Sequence, residues 1–120
     1  MTQMMSFTKY ENQILPKYRD QLNHAESVED VKKFFIGTIQ EFLSLATEGN
    51  LNPAYEDILL LPEESPGYSL EPQIKNSTEM KELENSDIKT VLQRLAEQAG
   101  HRHKHLMKNN TKTNLKIKNH

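Results

Sequence analysis

Residues 27–46, SVEDVKKFFIGTIQEFLSLA, set the architecture. At about 100° per residue, Val28, Val31, Phe34, Phe35, Ile36, Ile39, Phe42, Leu43, Leu45 and Ala46 fill an arc of about 200° on a helix. Glu29, Lys33, Gln40, Glu41, Ser44 and Glu48 take the remainder. A stripe that wide touches more than one neighbour, so the segment predicts the central helix of a bundle. Ser27 followed by Asp30 is close to a capping box, and Glu29 and Asp30 put negative charge where a helix amino end favours it. Gly49-Asn50 supplies a stop.

Upstream, Phe7, Tyr10, Ile14, Tyr18, Leu22 and Ala25 recur at helical spacing and predict a helix from about Ser6 to Leu22. Pro16 interrupts it, as a kink or as a fresh start. The apolar register carries across the proline, which favours a kink. Downstream, Leu51-Asn52-Pro53 predicts a short third helix reaching to about Leu61. Asn52 would cap it, Pro53 would take its first position, and Glu56 and Asp57 would load its first turn. Ile58 to Leu61 reads as a plug buried on most sides, since a lone strand there would be an unpaired edge.

Residues 62–76, PEESPGYSLEPQIKN, have little periodicity and a Pro66-Gly67 turn signal. They predict a long loop that is either packed across the helices or left to bind a partner, with Tyr68 and Leu70 as its contact residues. A weaker helical turn precedes Ser86, around Thr78 to Leu83. Ser86 then caps a last helix on which Ile88, Val91, Leu92, Leu95, Ala96, Ala99 and Leu106 share one stripe. That helix carries past Gly100 to about Lys108. Residues 109–120, NNTKTNLKIKNH, have no apolar face and predict a flexible basic tail. The expectation is a single all-α domain over residues 1–108, a bundle of three to four helices with a long proline-containing loop.

Composition narrows the chemistry. Among 120 residues there is no cysteine, which excludes disulfides, thiolate zinc sites, iron–sulfur ligation and thiol catalysis. No apolar run approaches the roughly 20 residues needed to span a bilayer, so no membrane is expected as a partner. The amino-terminal MTQMMSFTKYENQ lacks a basic stretch followed by an apolar one, which argues against a secretory leader and points to the cytoplasm. Charge is lopsided. Residues 1–99 hold nine Lys or Arg against seventeen Asp or Glu, whereas residues 100–120 hold six basic side chains and no acidic one.

The run Gly100-His101-Arg102-His103-Lys104-His105 is the one concentration of ligand-type groups. On a helix His101 and His105 stand one turn apart, a spacing at which two imidazoles can share a metal. Glu97 lies a turn before them, but such a row is about 12 Å long, and a site would need a ligand from elsewhere. With Leu95 at zero, His101 and His105 fall near about 240° and 280°, opposite the apolar stripe, and His103 near about 80°, at its edge. The His-Glu-x-x-His signature of zinc hydrolases is missing. Neighbouring cations disfavour a bound metal, and suit a phosphate or a carboxylate-rich partner better. A contact surface for such a partner would comprise Arg94, His101, Arg102, His103, Lys104, His105 and Lys108, continued by Lys112, Lys116 and Lys118.

The sequence holds no phosphate-cradling glycine loop, no nucleophile elbow and no di-iron Glu-x-x-His element, so no catalytic residue and no cofactor is expected. The reading that follows is a non-catalytic protein-interaction or regulatory module, with an acidic protein as partner. One alternative is weak binding of nucleic acid or another polyanion through the basic, His-rich end. A second is metal-dependent activity on His101 and His105. Amphipathic helices also leave homodimerisation open.

Overall fold

The computed structural model describes residues 6–118, with side chains through Lys108. Along them run α1 (Thr8–His24), α2 (Val28–Ala46), a 3-10 turn (Tyr55–Asp57), strands β1 (Ile58–Leu60) and β2 (Tyr68–Leu70), short helices α3 (Pro72–Lys75) and α4 (Thr78–Glu82), and α5 (Ile88–Lys118). The protein is predominantly helical. It departs from an all-α bundle of three to four helices, for the described residues hold five helices and a two-stranded antiparallel sheet.

α2 is the central rod. Val31, Phe35, Ile36, Ile39, Phe42 and Leu43 are buried between α1, α5 and β1. Burying each phenylalanine stabilises the fold by about 2–3 kcal/mol. Phe34 and Leu45 are only half-buried, so the covered arc is narrower than the apolar one. Ser27 Oγ accepts from Asp30 N–H at 3.1 Å, and the Asp30 carboxylate accepts from Glu26 N–H at 3.0 Å, closing the amino end as its sequence predicts. At the other end the Thr47 hydroxyl donates to Leu43 O and accepts from Leu51 N–H. Glu48 and Gly49 then turn through positive φ.

α1 passes through Pro16 without a break and buries Phe7, Ile14, Tyr18 and Leu22. Its partner in the last layer is α5, and the two run parallel. The Asp87 carboxylate accepts from Phe7 N–H at 2.8 Å and from the hydroxyls of Ser6 and Thr8, so the residue that opens α5 closes the amino end of α1. Further along, Arg94 holds Glu11, and the Tyr18 hydroxyl donates to Leu95 O at 2.6 Å. Last, Arg102 Nη2 donates to Ala25 O at 2.8 Å and Asn23 O at 3.3 Å, capping the carbonyl end of α1. Burial pushes the Tyr18 phenol far above its ordinary value, keeping it a neutral donor.

The expected helix over Pro53–Leu61 is absent. Asn52 bonds back to Gly49 O, and Pro53 O accepts from Gln40 Nε2, so neither opens a helix. A single 3-10 turn forms, and the buried Asp57 carboxylate closes its amino end by accepting from Ala54 N–H and ties it to Gln73, whose amide also donates to it. Ile58–Leu60 then extends and pairs with Tyr68–Leu70, Ile58 opposite Leu70 and Leu60 opposite Tyr68. The partner strand was hidden in the segment expected to be a loop. That segment is packed: Gly67, at φ +96°, lies where a Cβ would stand 3.2 Å from Ala96 Cβ on α5. The turn expected before Ser86 is present as α4, with Ser77 Oγ accepting from Met80 N–H.

α5 continues as helix backbone through Lys118, beyond the break expected at Lys108. The side chains of residues 109–120, the expected flexible basic tail, lie outside the described residues.

Candidate functional site

The basic end of α5 divides into side chains engaged inside the fold and side chains left on its surface. Arg94, expected as a contact for a polyanion, forms a two-pronged pair with Glu11, Nε to Oε2 at 2.8 Å and Nη2 to Oε1 at 2.6 Å. Glu11 is buried, on the same stripe of α1 as Phe7, Ile14 and Tyr18. A carboxylate in that position requires a cation, so Arg94 is a structural partner rather than a free hand. Arg102 is likewise engaged with the carbonyls of α1, and it satisfies groups that a helix end otherwise leaves orphaned. The half-buried His103 has no partner for its buried Nδ1.

His101, Lys104, His105 and Lys108 remain exposed. His101 and His105 do come together, on one wall of an open cleft of about 430 Å³ between the end of α1 and the middle of α5. Arg19, Asn23, Gln98 and Arg102 complete its polar lining. Glu97 faces elsewhere: with Glu63, Glu64, His101 and Lys104 it borders a smaller hollow of about 270 Å³ where the 61–67 turn crosses α5. Among the described residues no three His, Asp or Glu side chains gather as a metal would require, so the His101–His105 pair finds no third ligand there. Lys112, Lys116 and Lys118 have side chains outside the described residues.

The second surface is the outer edge of β2. Glu71 N–H bonds Asp57 O and Leu61 N–H bonds Gly67 O. With the register above, these make Leu59 and Ser69 the hydrogen-bonded pair and turn the main-chain groups of Tyr68 and Leu70 away from β1. No described group bonds them. A groove of about 400 Å³ lies along this edge, floored by Tyr68, Leu70 and Met80 and rimmed by Lys75, Lys81 and Lys89, with Glu84 the one acid. Burial in this setting pushes the Tyr68 phenol up. The two residues named from sequence as loop contacts thus stand on a strand edge, both half-buried.

The sequence carried a signal for part of what it did not yield. Glu11 interrupts an apolar stripe, and such a carboxylate asks for a buried partner. Arg19 and the three lysines carried none, because only the tertiary arrangement sets them beside the cleft and the groove. No family model matches the chain, and neither a characterised protein nor a solved structure does. Among the described residues no helix is long and apolar enough to cross a membrane.

Proposed function

We propose that this chain is a cytoplasmic, non-catalytic interaction module that takes an extended acidic segment of a partner protein along the outer edge of β2. The observation supporting this is the pairing of unbonded main-chain groups on Tyr68 and Leu70 with a lysine-rimmed groove. A strand laid there gains main-chain hydrogen bonds, while alternate side chains reach the apolar floor. Lys75, Lys81 and Lys89 select for carboxylates on the incoming chain.

Short edge strands and lysines also serve to block unwanted pairing. In that role the charge sits on the edge strand itself. β2 reads Tyr-Ser-Leu and has none; its lysines come from α3, α4 and α5 across the groove. An extended polyanion surface over the whole basic end is short of two of its expected contacts, since Arg94 is held by Glu11 and Arg102 Nη2 by the carbonyls of α1.

Selection from a display library of random decapeptides tests the proposal. The expected enrichment is for acidic sequences with alternating apolar residues, lost when Lys75→Glu and Lys81→Glu are combined on this exposed rim. Enrichment of basic or proline-rich sequences, or enrichment untouched by the double variant, would overturn it.

A further inference from the structure

We infer that the cleft between α1 and α5 is a binding site for a phosphate monoester, separate from the β2 edge and independent of it. Its polar lining is Arg19, Asn23, Gln98, His101, Arg102 and His105, all able to donate a hydrogen bond and none a carboxylate. Half of that lining comes from the stretch after residue 99, which holds six basic side chains and no acid. Two acids of the same helices have other partners. Asp20 pairs with His24 at 3.4 Å, and Glu97 accepts from Gln93 at 3.4 Å beside the neighbouring hollow.

Each donor has a reason to be where it is. Arg102 is fixed by its bonds to Asn23 O and Ala25 O, which also neutralises the partial negative charge of α1's carbonyl end and removes what would repel an anion. Arg19 is exposed and has no partner among the described residues. It faces His101 and His105 across the cleft, and those two stand one helical turn apart. Donors converging from two helices suit a tetrahedral oxyanion with several acceptor atoms better than a single carboxylate, and the volume of about 430 Å³ leaves room for the group that carries the phosphate.

The source is a free phosphate compound or a phosphorylated side chain of another protein, and titration of the full-length labelled chain by NMR separates them. Inorganic phosphate, a phosphoserine decapeptide and its unphosphorylated form are the probes, at low ionic strength. Saturable shifts in Arg19, Gln98, His101 and His105 are expected, with Arg19→Gln and His105→Gln each weakening the site about tenfold. Lys9→Gln, an exposed change near the opposite end of α1, should leave affinity unchanged. Tighter binding of the phosphopeptide than of inorganic phosphate assigns a protein-borne group, and equal binding assigns a free one. A response that does not saturate, that survives Arg19→Gln, or that is stronger for a single-stranded oligonucleotide than for either monoester overturns the inference. The β2-edge proposal is untouched by that failure, because Arg19 and His105 do not border its groove.

Discussion

Asp87 stabilises a helix that begins eighty residues before it. Burial alone would raise its carboxyl pKa; the bonds from Phe7 N–H, Ser6 and Thr8 outweigh that and hold it below the ordinary carboxylate range. A depressed folded-state pKa contributes stability that is complete above the unfolded value and lost as pH falls through the folded one. Asp87→Asn should therefore cost about 1 kcal/mol at neutral pH, by analogy with other cap losses. Urea titrations of wild type and variant should converge as pH falls through the depressed folded-state pKa, once the wild-type carboxyl is protonated. Glu11 and Arg94 test a different balance. Arg94→Ala leaves a carboxylate buried on an apolar stripe, and with the guanidinium side itself partly exposed the loss should be about 2 kcal/mol. Adding Glu11→Leu should recover most of it, since the orphaned charge is then removed. A double variant as unstable as Arg94→Ala alone would show that the pair contributes more than mutual satisfaction.

At the level of elements, the hairpin and the helix it crosses respond to glycine in opposite senses. Gly67→Ala places a side chain at φ +96° and 3.2 Å from Ala96 Cβ, a change expected to cost about 1–3 kcal/mol. Gly100→Ala brings a Cβ only to 3.9 Å from Pro62 Cα, an ordinary contact, inside a helix that favours alanine. It should stabilise by about 0.5–1 kcal/mol, read as a higher melting temperature. The long helices were legible because each carries apolar residues at helical spacing, and α2 and α5 each follow a serine whose hydroxyl accepts from the first turn; Ser27 and the phenylalanines of α2 left little choice. β1 and β2 were not, because three-residue strands have no period to count and their pairing spans a turn rich in proline. Ile58–Leu60 is apolar enough for either state. What decides is Asp57, whose carboxylate ties the preceding turn to Gln73, and nothing local announces that bond. The candidate sites were legible to the same degree. His101 and His105 could be placed on one face from spacing alone, whereas the engagement of Arg94 and Arg102 depends on where α1 lies.

Across the whole molecule, one hydrophobic cluster runs from Phe7 to Leu106 and draws on α1, α2, both flanks of the hairpin and α5. Unfolding should then be a single transition, with the same midpoint by far-ultraviolet dichroism and by tyrosine signal. Phe42→Ala, fully buried on α2 and edge-on to Phe7, should lower the unfolding free energy by about 3–5 kcal/mol without splitting the transition. Two separated transitions would instead divide the hairpin region from the helices.

The parallel lacing of α1 to α5 also bears on how the protein is made. Its polar ties join residues separated by 77 to 83 positions, and all of them wait for the downstream partner to be made. A nascent chain halted before Arg94 holds Glu11 without its cation, with the Tyr18 hydroxyl and the final carbonyls of α1 still hydrated. α1 is thus secured only after a segment some eighty residues downstream of it has been made, and a product terminated between the two is a substrate for proteolysis rather than a smaller working protein.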